Sequence, residues 1–216
     1  MRETLFRVGI KYMRIEEIKP SERKKGRFLV KLEDGSLLRV TEEELLRFGL
    51  RSGMDLSDGD LAAIRASAES SSVKVTAANM IGSRALSKQE LQRRLVRKGA
   101  AESDAQAAAD WLEEIGAVDD AAYAAALVRH YSAKGYGAAR VKEELRHRGV
   151  PRELWDEALE QLPESGDILE ELIRKKCRGD LSDPKELKRV SDALLRRGFS
   201  WGEVKSALRR YAELEE

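Results

Sequence analysis

The sequence predicts a mainly α-helical chain, with tandem three-helix repeats forming an array behind a small N-terminal module that contains β-strands. Three observations carry that expectation. Charged residues make up 37% of the 216 positions and aromatics only 6%, a balance that favours helix formers such as Leu, Ala, Glu, Lys and Arg. Short alternating runs rich in strand formers are confined to about the first forty residues. A helix-ending motif then recurs three times, with its glycines at positions 99, 149 and 198. Spacing of that kind marks an array whose units bury apolar faces against one another.

In chain order, Ile15 to Lys19, Arg27 to Glu33 and Ser36 to Thr41 read as strands. Ser21 to Gly26 is a polar, basic turn, and Asp34-Gly35 has the chemistry of a type I′ hairpin. Three short strands bury little by themselves, so a helix should cover one face. Thr41 and Glu44 form a capping box ahead of Leu45, Leu46 and Phe48, and Gly49 ends that helix. A second short helix should begin near Ser57. Ser67 to Ser72 has the composition of a linker, with a helix running through it as the alternative. The module is therefore assigned to residues 1–66.

Beyond it, three repeats are assigned to residues 73–116, 117–162 and 163–216. Ser87/Glu90, Ser103/Gln106 and Ser200/Glu203 have capping-box spacing, and Pro151 and Pro184 suit a first helical position. Gly99, Gly116, Gly149, Gly179 and Gly198 are the candidate terminators. Leu91-x-x-x-Leu95, Val141-x-x-x-Leu145 and Val190-x-x-x-Leu194 align without gaps ahead of Gly99, Gly149 and Gly198. In each, two aliphatics share a helical face, and basic residues in the last turn suit the helix dipole.

Composition also excludes. Forty Lys and Arg against thirty-nine Asp and Glu leave a net charge of +1, which argues against a globally basic, histone-like binder. Cys177 is the only cysteine and can form neither an internal disulfide nor a zinc cluster. Met1 to Val8 lacks the apolar run of a signal peptide, and nowhere are there about eighteen consecutive apolar residues. A cytoplasmic monomer is expected, away from membranes. No phosphate loop, dinucleotide fingerprint or nucleophile–base spacing occurs, so neither a cofactor nor catalysis is expected.

The candidate binding residues are basic. Arg93 and Arg97 project away from the Leu91/Leu95 stripe, Lys142 and Arg146 away from Val141/Leu145, and Arg189 and Arg196 away from Leu187/Leu194. They could meet phosphates or acidic patches, or could simply be solvated. Tyr131 and Tyr136, beside Gly135 and Gly137, are candidates for base stacking. Trp111, Trp155 and Trp201 are read as packing between helices. Asp119 is read as a helix cap with Asp120 in the first turn, His130 and His147 as surface or boundary residues, and Cys177 as a partly buried thiol.

Residues Arg84 to Gly99 resemble the bacterial RecX family of recombination regulators. The likeness continues through Gly116 to Ala124 and Lys134 to Val150. It covers about residues 77–162, with the third repeat matching more loosely. The resemblance implies a curved stack of three-helix repeats that binds the RecA–DNA filament and restrains recombinase and co-protease activity, meeting single-stranded DNA through the filament, with weak direct contact to DNA as a further expectation. The N-terminal module is similar to an extension that only some members carry. The alternatives are a helix-turn-helix-like DNA-binding protein and a helical-repeat interaction scaffold.

Overall fold

The computed structural model describes residues 12–22 and 26–215. The N-terminal segment read for a leader, and Arg23 to Lys25 of the basic turn, lie outside the described residues. Four antiparallel strands open the chain: β1 (Tyr12–Pro20), β2 (Arg27–Leu32), β3 (Leu37–Thr41) and β4 (Asp55–Ser57), in the order β3-β2-β1-β4. Three strands were expected. The fourth escapes a periodicity reading because three residues are too few to show alternation.

The β2–β3 connection also differs from expectation. Among the described residues none except glycine has positive φ, so Asp34 does not occupy a type I′ turn. Instead the Gly35 amide donates to Leu32 O, and Gly35 takes φ +81°. A type I turn followed by a left-handed glycine makes a three-residue loop. The Ser36 amide closes it by donating to the Asp34 carboxylate at 2.8 Å.

Helix α1 (Glu42–Arg47) forms the expected capping box, with Thr41 and Glu44 bonded reciprocally. Helix α2 (Asp58–Ser83) starts on the Ser57/Asp60 box but is not short: it runs for 26 residues, straight through the serine-rich segment. The helical alternative is the one realised, and its reason is chemical. Glu44 is only 1% exposed, and the hydroxyls of Ser67 and Ser71 donate to its carboxylate from α2. The serines read as linker are thus the hydrogen-bonding supply of a buried charge.

Helix α2 serves two cores. Its first half sets Leu61 and Ile64 on the sheet, against Met13, Ile15, Val30, Leu32, Leu38, Val40 and Leu56. Its second half sets Val73, Ala77 and Met80 against α3 (Lys88–Arg97) and α4 (Glu102–Glu114), around Leu91, Leu95, Ala108 and Leu112. A third core joins α5 (Asp120–Ala133), α6 (Ala138–His147) and α7 (Trp155–Leu159) through Val128, Val141 and Leu145. A fourth joins α8 (Ser165–Lys176), α9 (Pro184–Leu195) and α10 (Trp201–Glu215) through Leu169, Ile173, Val190 and Leu194.

Several local expectations are corrected. Ala101, not Ser103, precedes α4, because the turn after Gly99 is too short to place Ser103 outside the helix. Pro151 opens a 3₁₀ turn, Arg152–Leu154, before α7 rather than α7 itself. Gly179 lacks positive φ, since α8 ends earlier, at Lys176, in an extended Cys177. Because the second half of α2 already packs within the first repeat, a fragment from Val73 onward is expected to fold without the sheet. Circular dichroism and a cooperative melt check this; a soluble but unstructured fragment would make α2 indivisible.

Candidate functional site

The second helix of each repeat is α3, α6 or α9, and each ends in the recurrent glycine turn. Gly99, Gly149 and Gly198 have φ of +95°, +70° and +89°, the left-handed conformation that lets a turn return orphan amides to the last carbonyls. Those turns also join the repeats. The Gly137 amide donates to Arg197 O at 2.9 Å and the Ala139 amide to Gly198 O at 3.0 Å. The C-terminus of α9 thereby caps the N-terminus of α6, and opposite dipole ends meet.

The joint before it works similarly. The Ser87 hydroxyl at the start of α3 donates to Arg148 O, beside Gly149 at the end of α6. Asp120, the first residue of α5, accepts from the Lys88 amide at 2.8 Å. Burial pushes that carboxyl up, with the Lys88 amide opposing. Asp119 caps its own helix through the Ala122 amide, as expected, whereas Asp120 reaches across to the neighbouring repeat. Sequence reasoning missed this second duty because partners thirty-two residues apart leave no local signal.

It also missed Arg148 and Arg197, which stand immediately before the glycine. The Arg197 guanidinium donates to Lys134 O and Gly135 O at 2.9 and 3.0 Å and lies over the Tyr136 ring at 5.3 Å. Arg148 sits among Glu144, Tyr123, Tyr131 and Glu90. The repeated motif did display a basic residue there, but a basic last turn equally satisfies a helix dipole.

The nominated cations separate into two kinds. Arg93, Arg97, Lys142, Arg146 and Arg196 are exposed and, among the described residues, have no carboxylate partner. Arg93 reaches only His147 O, at 3.5 Å. Arg189 is different. It holds Glu186 at 2.7 and 2.6 Å and also donates to Lys176 O. The Arg189 guanidinium, with the Arg178 amide, holds the Glu186 carboxyl at about 2. Arg189 therefore ties α9 to the end of α8.

The free cations do not form one strip. Arg93 and Arg97 precede their glycine by six and two positions, Lys142 and Arg146 theirs by seven and three. One position is about 100° of helix rotation. Accordingly, an open groove of about 780 Å³ beside α3 and α4 is lined by Arg93, Arg94, Arg97, Gln106 and His147, but not by Lys142 or Arg146. His147 stands where Arg97 stands in the first repeat. Arg94 is bonded to Glu90, so the free positive charge in the groove is that of Arg93 and Arg97, with the Glu102 carboxylate also in its lining.

The tyrosines are brought together but are occupied. Tyr131 and Tyr136 are half-buried with ring centroids 5.7 Å apart, and Arg197 covers Tyr136. Burial, then Glu144, raises the Tyr131 phenol. Trp111 and Trp155 pack as expected, the latter donating to Val150 O at 3.0 Å. Trp201 does not: it is 58% exposed at the start of α10. Cys177 is partly buried and its thiol contacts Gly179 O. Among the described residues, no group of three or more His, Cys, Asp or Glu could hold a metal, and no helix is long and apolar enough to cross a membrane.

Family models match two stretches: the second three-helix domain of RecX over residues 119–159 and the third over residues 164–208. A regulatory protein RecX from Trichlorobacter lovleyi is 37% identical over half of this chain and 75% of its own length. One from Pseudomonas entomophila is 35% identical over 59% of this chain and 84% of its own. That of Streptococcus gordonii is 27% identical over 90% of this chain and 76% of its own, a match extending beyond the repeats. A crystal structure of regulatory protein RecX shares the fold over 91% of this chain and 99% of its own, with TM-score 0.75 at 22% identity. The repeated three-helix cores, their motif and these relatives together make the chain a member of the RecX family of regulatory proteins.

Proposed function

We propose that this protein binds the RecA–DNA filament and restrains its recombinase and co-protease activities without catalysing a reaction itself. The reading is carried by the free cations: Arg93, Arg97, Lys142, Arg146 and Arg196 lie on the corresponding helix of each repeat with no carboxylate partner among the described residues. Exposed guanidinium and ammonium groups without internal partners suit phosphates and acidic patches. A stack of jointed repeats could bridge several filament subunits and touch the single strand they hold. It restrains the filament only by binding one of its states more tightly than another.

Capture on RecA-coated single-stranded DNA, with and without ATP, tests the reading. Because the cations lie on two faces, Arg93→Glu/Arg97→Glu and Lys142→Glu/Arg146→Glu are separate experiments. Each pair should change folding stability by about half a kcal/mol or less, since exposed substitutions away from packing usually do. The pair that faces the filament should weaken capture and flatten its salt dependence by roughly one unit per lost phosphate contact. Capture unchanged in strength and salt slope for both pairs would remove these helices from the interface.

A further inference from the structure

The strand module carries a cationic groove of its own. Its guanidinium groups come from three elements: Arg27 on β2, Arg39 on β3 and Arg65 on α2. Arg27 and Arg39 also line the adjoining depression, which continues to Lys19 and Ser21. Leu37 and Ser72 border both depressions, so they form one continuous surface. None of the three arginines has an ion pair or side-chain hydrogen bond among the described residues. The carboxylates in the lining, Glu22 and Glu69, reach none of them. Lys19 is the exception, held at 2.9 Å by Glu17.

Elsewhere on the sheet, cations are matched: Arg14 with Asp55 at 2.8 Å and Lys31 with Glu16 at 2.7 Å. Three unmatched arginines at one groove repel one another unless an anion lies between them. The serines of α2 divide in the same way. Ser67 and Ser71 turn to buried Glu44, whereas the half-buried Ser72 hydroxyl has no partner among the described residues and borders the arginines. Leu37, 54% exposed, and half-buried Leu29 give the surface an apolar strip beside its donors.

We propose that this groove binds the sugar-phosphate backbone of a single nucleic-acid strand, with Arg27, Arg39 and Arg65 on phosphates, Ser72 as a further donor and the leucine strip under the bases. Guanidinium forks match phosphate oxygens, and an apolar strip beside a cationic track is how single strands are held without sequence preference. The choice of a nucleic-acid strand over an acidic peptide rests on the filament reading above. The site itself lies outside the matched three-helix domains and on a different element from the cations of α3 and α6.

The test uses the full chain and a labelled thymidine oligonucleotide, with no recombinase present, read by anisotropy across a salt series. Arg27→Glu/Arg39→Glu/Arg65→Glu should bind more weakly. Its salt slope should be about two units shallower, at about 0.7 per phosphate contact for a single strand. Arg65→Gln, at an exposed helical position, should give part of that change with an unaltered melt. Lys185→Glu/Lys188→Glu/Lys205→Glu, three exposed cations that neither proposed surface uses, is the charge-matched control and should leave the slope in place. An unchanged slope in the triple variant, no oligonucleotide binding by the parent protein, or poly-glutamate bound in its place would each overturn the proposal. Loss of the oligonucleotide slope while capture on the recombinase filament fails in every variant, parent included, would uphold this site and sink only the filament reading.

Discussion

Gly198→Ala is expected to destabilise the protein by about 3 kcal/mol, whereas Gly99→Ala should cost only about 1 kcal/mol. Both glycines have positive φ, for which a Cβ costs roughly 1–2 kcal/mol. Only Gly198 is also pressed against a neighbour: its Cβ would lie 2.4 Å from the Arg140 backbone nitrogen, and forced overpacking adds roughly 1–3 kcal/mol. Around Gly99 the space is open. Gly149 should fall between, because its nearest neighbours are the movable side-chain ends of Gln89 and Arg93. Urea melts give the costs. Hydrogen exchange at the Gly137 and Ala139 amides localises them, since these amides donate across the joint. Equal losses at 99 and 198, with both amides as protected as in the parent, would show that the joint yields freely.

A loss of similar size is expected from Glu44→Ala. The carboxylate accepts from the Thr41 amide and hydroxyl and from Ser67 and Ser71, and each abandoned buried donor costs about 1–3 kcal/mol. Burial alone pushes the Glu44 carboxyl up, but the bonds from Ser71, Thr41 and Ser67 outweigh it and hold the group below the ordinary 4.5. A folded-state value below the unfolded one means that Glu44 stabilises fully above pH 4.5. That contribution declines as pH falls through the depressed folded value. The stability difference between the parent and Glu44→Gln should therefore shrink in acid. A difference independent of pH down to 3 would mean that the charge has no part in holding α2 to the sheet.

What could be read from sequence was what is local. Thr41, Ser87, Asp119 and Ser200 cap helices as expected, helices start after Ser57 and at Pro184, and Gly99, Gly116, Gly149 and Gly198 follow their ends. The Leu91/Leu95, Val141/Leu145 and Val190/Leu194 pairs are buried as their period requires. The misreadings share a cause: the same residues satisfy two readings until a distant partner chooses. Ser67 to Ser72 has linker composition, but Glu44, over twenty residues earlier, makes two of those serines helical hydrogen-bond donors. Arg189 has the spacing of an exposed cation, but the start of its own helix and the end of the preceding one claim it. The cations were nominated by distance from an apolar stripe, which says that a side chain faces outward but not towards which neighbour. Hence Lys142 and Arg146 leave the groove that His147 enters.

The joint between the second and third repeats is written largely in main-chain atoms: amides of Gly137 and Ala139, carbonyls of Arg197 and Gly198. Every residue type carries the same carbonyl, and nearly every type the same amide. Such a seam is indifferent to most substitutions around it and intolerant chiefly of a Cβ at the points of closest approach. Lineages could therefore exchange almost the whole outer surface of a repeat, charges included, without losing the way repeats stack. Binding chemistry and architecture are free to evolve on separate clocks, with the glycines as the shared constraint.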